Sequence, residues 1–345
     1  MRILMVGHYP PHTGGIANHL DNLVRELRKR HEVHVLTYGP IIPRKFESEF
    51  VHQVKPPNIF GIRGISFTFL AAKKILELHK KYRFDIVHAH YVGTTTYAAI
   101  TVKRKIGTPV VVTAHGSDLD FMSKLPLGAY YVKKSLSDAD SVITVSHYLA
   151  KKAISLGAKN VHVIPNGVRE FEYRKNQKEF VTFIGALRHY KSPETVLKMA
   201  KIFPKEKFLI VGDGPLRKVL EKHSPQNVRF LGYRKDIESI LSRTKILLLP
   251  SKREGFGLVI LEANSLKVPV IGRKIGGIPE LIRDGKSGII FQNFDELIDA
   301  FEELLIPKKH VKMGALGKEI VKKYLWEDVA RKVEEIYEVI LRSAH

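Results

Sequence analysis

RILMVG (Arg2–Gly7), IANHLDNLVRELRKR (Ile16–Arg30) and EVHVLTY (Glu32–Tyr38) stand in succession at the start of the chain. The first and third are short apolar runs of strand length, and the second repeats its apolar residues at helical spacing. A strand, an amphipathic helix and a second strand make a βαβ unit, which implies parallel strands with helices covering the sheet. DIVHAH, VVVTAH and SVITVS continue the alternation. This half therefore reads as a doubly wound parallel sheet.

VHVIPNGV (Val161–Val168) closes that series, and the polar stretch REFEYRKNQKE (Arg169–Glu179) reads as a linker. FVTFIG then opens a second series, continued by FLIVG, VRFLG, KILLLP, VPVIG and GIIF. From Asp295 onward the strands give way to helical patterns, DELIDAFEELL and WEDVARKVEEIYEVILRS. The expected architecture is α/β, with two Rossmann-like doubly wound parallel-sheet domains facing across a cleft. The boundaries fall at 1–168 for the first domain and 169–324 for the second, with a C-terminal helix at 325–345 packing back on the first. Ligands of such open sheets bind outside the carboxyl ends of the strands.

Composition narrows the function classes. No apolar run reaches the roughly 18 residues of a membrane-spanning helix, and MRILMVGHYPP enters a turn too early for a signal peptide, so a cytoplasmic location is expected. The absence of cysteine excludes disulfides, thiolate metal sites and a cysteine nucleophile. A formal net charge of +22 calls for anionic partners: nucleotide phosphates, nucleic acid or an anionic membrane face. Residues 1–168 hold 23 Lys and Arg against 11 Asp and Glu, net +12, and residues 169–345 hold 34 against 24, net +10. The excess is spread over both halves rather than striped with stacking aromatics, which argues against nucleic acid.

Several turns at strand ends carry candidate chemistry. Gly14 and Gly15 lie between the first strand and the first helix, where backbone NH groups can approach a phosphate or a sugar. Taken alone, the pair is equally a tight turn. Gly212 and Gly214 of VGDGPL repeat the arrangement in the second half, without the GxGxxG spacing of a nicotinamide site. Arg188 and Lys191 follow the strand FVTFIG, where two cations neutralise a diphosphate or simply lie on a solvated surface. LLLPSKREGFGLVILEA (Leu247–Ala263) reads as strand, turn and helix, with Glu254 at the mouth of a helix that begins near Leu258. Glu262 lies one turn into that apolar helix, where an unpaired carboxylate is costly. Carboxylates accept hydrogen bonds from vicinal hydroxyls, and Gly255 and Gly257 expose NH groups to a phosphate. The alternatives are a helix-dipole acid at Glu254 and a salt bridge at Glu262.

Of the 16 histidines, His115 stands out at the carboxyl end of VVVTAH. His88 and His90 share one face of a strand, but the sequence offers no third metal ligand beside them, so packing is the preferred reading and no metal is assigned. The pairs Asp118, Asp120 and Asp138, Asp140 are read as structural.

Together these motifs resemble the large retaining glycosyltransferase group often called family 4 or group 1, with the two-domain GT-B fold and nucleotide-sugar donors. The resemblance runs nearly end to end, through the Gly14–Gly15 turn, VVVTAHGSD, PNGV, GDGP, EGFGLVILE and IGGIPELI. The pair of glutamates separated by seven residues is its specific element. The resemblance implies that Glu262 binds the ribose hydroxyls and that Glu254 lies beside the donor sugar. It further implies that Gly255, Phe256 and Gly257 give backbone NH groups to sugar and phosphate. His115 then lies near the reacting sugar carbon, and Lys191 belongs to the diphosphate clamp. His115, Glu254 and Lys191 are thus the catalytic candidates, with Gly14, Gly15, Arg188, Gly212, Gly214 and Leu258 as further donor-binding residues. This chain departs from the family at Ala186, where an arginine is usual, and at Ser192, where a glycine is usual; Arg188 is the candidate substitute.

The implied activity is transfer of a hexose from a nucleoside-diphosphate sugar to an acceptor hydroxyl of a lipid, glycan or small molecule, with retained anomeric configuration and no cofactor or metal. A nucleotide-sugar-binding regulatory protein of the same fold is the alternative, for which Ala186 leaves room. An epimerase is disfavoured by the two glutamates. NIFGIRGISFTFLAAKKILELHKKYR (Asn58–Arg83) has an apolar front and a basic back, equally a membrane-surface helix at the inner face of the cell membrane or a buried helix with a solvated face.

Overall fold

A computed structural model of the chain describes residues 1–12, 14–39, 49–57, 63–172 and 178–343, the side chain of Arg63 excepted. The middle of the expected linker (173–177) and the first five residues of the Asn58–Arg83 stretch lie outside the described residues. The chain divides into two compact units, Met1–Gly167 together with Trp326–His345, and Val168–Leu325.

Unit 1 holds seven strands: β1 (Arg2–Val6), β2 (Glu32–Tyr38), β3 (Val51–Val54), β4 (Ile86–His90), β5 (Val110–Ala114), β6 (Ser141–Thr144) and β7 (Val161–Val163). Their order is β3-β2-β1-β4-β5-β6-β7, and every pairing is parallel. Unit 2 holds six: β8 (Phe180–Ile184), β9 (Lys207–Val211), β10 (Val228–Gly232), β11 (Thr244–Leu249), β12 (Val270–Arg273) and β13 (Gly288–Phe291). Their order is β10-β9-β8-β11-β12-β13, again all parallel. Each unit is thus a doubly wound α/β sheet, as the alternating runs require. In each, the order reverses beside the first strand, between β1 and β4 and between β8 and β11. A crevice opens at such a switch point because the connections on either side leave in opposite directions.

β4 and β5 are buried along their full length, so both faces of the sheet are covered there. β3 is an addition to the strand runs read from the sequence, none of which falls between Tyr38 and Asp85. Its residues VHQV are polar at two of four positions and only Val54 is buried. An edge strand of this kind carries no continuous apolar run to mark it.

The helix Gly15–Leu27 buries Leu20, Leu23, Val24 and Leu27, spacings of three and four residues that form one face. That face joins Ile3 and Met5 of β1 and Trp326, Val329 and Val333 of the last helix, Trp326–Ser343, in one core. Fully burying each such side chain stabilises by about 1.5–3 kcal/mol, so the last helix is part of the fold of unit 1. Arg30 adds a bidentate pair to Glu334 at 3.0 and 2.9 Å, and Tyr337 meets His88 Nδ1 at 2.6 Å in the interior. In unit 2 the centre is aromatic, with Phe183, Phe208 and Phe301 almost fully buried. Among the described residues, no helix is long and apolar enough to cross a membrane.

Trp326 packs face to backbone on Gly167, where a Cβ would fall 2.3 Å from the indole Cδ2. Gly167→Ala is therefore expected to destabilise unit 1 by about 1–3 kcal/mol through overpacking. Trp326 is the only tryptophan, so the fluorescence-detected urea midpoint reports on this contact directly. An unchanged midpoint would show that the helix accommodates the methyl group.

Candidate active site

Two turns leave the switch point of unit 2. From β8 the chain runs through Gly185–Arg188 into one turn of 3₁₀ helix, His189–Lys191, and on to the helix Glu194–Ile202. From β11 it runs through residues 250–257 into the helix Leu258–Ser265. The Tyr190 carbonyl accepts the backbone NH groups of Lys252 (2.7 Å) and Arg253 (3.3 Å), which stitches the two turns together. The Arg253 guanidinium lies 5.2 Å from the Tyr190 ring centroid and closes the same joint. Within this frame Lys191 Nζ donates to Glu254 Oε2 at 2.5 Å, with only 19% and 14% of the two side chains exposed. Two charges so far out of water must stay paired, and each fixes the place of the other.

Both turns are propped from behind by backbone. Gly276 (φ 57°) passes so close that a Cβ would lie 1.9 Å from the Glu254 carbonyl oxygen, and the Gly277 NH donates to that oxygen at 3.1 Å. Gly212 (φ 135°) comes equally close to the Gly185 carbonyl, and a Cβ on Gly214 would lie 2.6 Å from that of Leu187. Gly212 and Gly214 thus have a complete local reason to be glycine. Phe256 is 4% exposed, its ring packed toward Tyr324, so its side chain pegs the loop. Gly257 adopts φ 96° and leads into Leu258, the first residue of the helix.

Glu262 sits one turn into that helix, and burial raises its carboxyl pKa to about 7. No cation opposes the shift, so the salt-bridge alternative finds no partner among the described residues. A buried acid without a partner keeps unused hydrogen-bonding capacity. Arg188 is exposed, and its guanidinium makes no hydrogen bond or ion pair among the described residues; it does not join Lys191 and Glu254. Ser192, where the family has glycine, is buried in the left-handed region at φ 51°, a backbone position that favours glycine.

In unit 1, His115 is the first residue after β5. Asp118, fully buried, accepts the NH groups of His115 (3.0 Å), Gly116 (2.7 Å), Leu119 (3.0 Å) and, from the end of β4, Val92 (2.9 Å). One carboxylate therefore holds the turns after β4 and β5 together. Asp120 meets Tyr148 and Lys152, Asp138 meets Lys134, and Asp140 meets Lys103 and the Val110 NH. Each of these acids has a structural partner.

Behind His115 lies a group of rings that sequence spacing does not reveal. His90 Nδ1 is 3.3 Å from His115 Nε2, and His19, from the first helix, sits edge-on to His115 with centroids 4.8 Å apart. Burial lowers the pKa of His19 to about 4 and holds His90 and His115 well below the usual histidine value, so the rings are neutral. His88 faces elsewhere, to Tyr337 and to Thr113 Oγ1 at 2.7 Å. At the end of β1, Gly14 has φ 113°, and a Cβ at Gly14 or Gly15 would touch nothing within 4 Å. Packing among the described residues gives Gly15 no reason to be glycine.

Comparison with known proteins agrees with this architecture. The profile of Glycosyltransferase Family 4 matches residues 13–170, and that of Glycosyl transferases group 1 matches residues 168–320. The chain is 31% identical to an uncharacterized glycosyltransferase of Methanocaldococcus jannaschii, over 98% of both chains. It is 29% identical to the N-acetyl-alpha-D-glucosaminyl L-malate synthase of Bacillus anthracis, over 96% of both. It is 27% identical to a phosphatidylinositol N-acetylglucosaminyltransferase component of Arabidopsis thaliana, over all of this chain and 83% of that one. Among solved structures, sucrose-phosphate synthase of Thermosynechococcus elongatus superposes with a TM-score of 0.87, at 18% identity over 99% of both chains. Anabaena HepE, solved in complex with UDP-glucose, gives 0.82 at 18% identity, over 98% of this chain and 100% of that one. The chain belongs to the family 4, group 1 glycosyltransferases and has their GT-B fold.

Proposed function

We propose that this glycosyltransferase moves a hexose from a nucleoside-diphosphate sugar to an acceptor hydroxyl with retention of anomeric configuration. The observation that carries the reading is the triad of unit 2: Lys191 paired with Glu254, and the unpartnered carboxyl of Glu262 in the adjoining helix. In this reading unit 2 takes the donor. Glu262 accepts the two ribose hydroxyls, Glu254 accepts from the sugar, and Gly255, Phe256 and Gly257 offer backbone NH groups at the helix N-terminus. The bond from the anomeric carbon to the diphosphate oxygen breaks, and negative charge grows on the leaving group. Lys191, with Arg188 as a further cation, stabilises that charge without a metal ion. The acceptor oxygen bonds to the anomeric carbon on the same face, and its proton passes to a phosphate oxygen of the departing diphosphate. His115 of unit 1 is read as the group at the reacting sugar carbon, with the turn at Gly14 and Gly15 open to the donor. Solved HepE bound to UDP-glucose supports the donor class by analogy.

Release of free nucleoside diphosphate from a panel of UDP-, GDP- and ADP-sugars tests the reading. One donor is expected to be turned over or slowly hydrolysed, and His115→Ala should lower kcat roughly 10²-fold or more with little change in KM. A donor that binds and is never consumed would instead make the chain a nucleotide-sugar-binding regulatory protein.

Glu262 predicts a pH profile. Below about pH 7 the free carboxyl is protonated, and a ligand that needs the carboxylate must displace the proton. Donor affinity should therefore rise about tenfold per pH unit up to about 7 and flatten above it. Calorimetric titration of Glu262→Gln should give weaker binding without that slope; an identical slope in the variant would remove Glu262 from the ribose role.

For the acceptor we infer a lipid-linked molecule or phospholipid at an anionic membrane face. The helix Arg63–Tyr82 exposes 75% of Phe69 and half of Ile65, beside a groove of about 480 Å³ rimmed by Lys73 and Lys105. An apolar edge flanked by lysines suits an interface of acyl chains and negative headgroups. Cosedimentation with phosphatidylglycerol vesicles should exceed that with phosphatidylcholine vesicles, and Phe69→Asp should weaken it roughly tenfold to hundredfold. Equal partitioning of both proteins would leave the helix as an ordinary surface.

A further inference from the structure

We infer that His19, His90 and His115 form a binding site for a divalent transition-metal ion of the zinc type, with water completing the coordination. The three come from different elements: the helix Gly15–Leu27, the last residue of β4 and the residue after β5. Each offers one nitrogen, and the three nitrogens lie within 4.8 Å of one another. The separation of 3.3 Å between His90 Nδ1 and His115 Nε2 matches the edge of a tetrahedron built on Zn–N bonds of roughly 2.0–2.1 Å.

The orientations of the rings suit a ligand. His90 Nε2 makes no hydrogen bond, so the one polar contact of that ring is through the Nδ1 that faces His115. His19 Nδ1 meets Asn166 Oδ1 at 2.8 Å, which fixes that ring and leaves its other nitrogen free. An outer hydrogen bond of this kind is how metal-binding imidazoles are oriented. His88, by contrast, has both nitrogens engaged and takes no part.

Without metal, one proton is shared between His90 Nδ1 and His115 Nε2. A metal takes both lone pairs while the His90 proton moves to Nε2, so no proton need leave the pair. Three neutral imidazoles without a carboxylate suit zinc, cobalt, nickel or copper, not magnesium or calcium, which require oxygen ligands. His115 is only part-buried and gives the ion a way in. An ion held here occupies His115 and should slow transfer; that consequence alone rests on the role proposed above for His115.

Cobalt(II) titration of the metal-free full chain tests the site without reference to turnover. We expect one equivalent to give the visible d–d bands of tetrahedral cobalt, bleached by zinc. His19→Ala and His90→Ala should abolish the bands, Asn166→Ala should weaken binding roughly 10–100-fold, and His34→Ala, in the separate His34–His52 pair, should change nothing. Absence of tetrahedral bands in the unmodified protein overturns the proposal whatever the variants do. So does their survival in His19→Ala and His90→Ala proteins with unaltered circular dichroism.

Discussion

At Gly212 and at Gly276 the backbone of one turn passes so close to the carbonyl of the next that a Cβ would lie 1.9 Å from oxygen. The turn after β9 thereby props the turn after β8, and the turn after β12 props the turn after β11. The two propped turns carry Lys191 and Glu254. Neither supporting turn supplies a charged group to that pair, yet both determine where its charges stand. A displacement of about 1 Å in a positioning group can cost 10²-fold in rate, so close backbone contact is a precondition of the chemistry proposed for unit 2.

Unit 1 solves the same problem with a side chain. Asp118 gathers NH groups from both sides of the gap between β4 and β5, from the turn that follows His90 and the turn that begins at His115. Burial pushes the Asp118 pKa up, and the four NH donors oppose that rise. Replacing the carboxylate would strand several backbone donors at once, each costing about 1–3 kcal/mol when left without a partner. An acid in an Asp-x-Asp pattern thus serves as a staple and is unavailable as a metal ligand.

The fold is legible in the sequence because a parallel strand buried on both faces, such as β4 or β5, must be an apolar run, and twelve of the thirteen strands fall in short runs the sequence shows, including the little-buried edge strands β7 and β10. β3 does not, being short, polar and at an edge. Glu254, Glu262 and Lys191 are legible as residue types at strand ends. Their relations are not. Lys191 and Glu254 are 63 residues apart and meet only because β8 and β11 are neighbours in the sheet. The histidine cluster escapes for the same reason: an HxH pair on one strand draws the eye to His88, whereas the fold pairs His90 with rings from a helix and another strand. Sequence spacing reports neighbours along one element, and sites at switch points are assembled across several.

The net charge acquires a location from this geometry. The turns after β1, β4 and β5, residues 7–14, 91–93 and 115–116, contain no lysine or arginine. The turns after β8, β11 and β12 contain Arg188, Lys191, Lys252, Arg253 and Lys274. Burial keeps His19, His90 and His115 neutral, whereas the strand ends of unit 2 carry cations. A nucleoside-diphosphate sugar carries its charge on a central diphosphate, between a neutral nucleoside and a neutral sugar. In the function proposed for unit 2, its cations are the groups that answer that central charge. A proton or dication introduced among His19, His90 and His115 would turn that neutral cluster into a cation, so the difference between the two sets of strand ends lasts only while burial keeps those rings unprotonated.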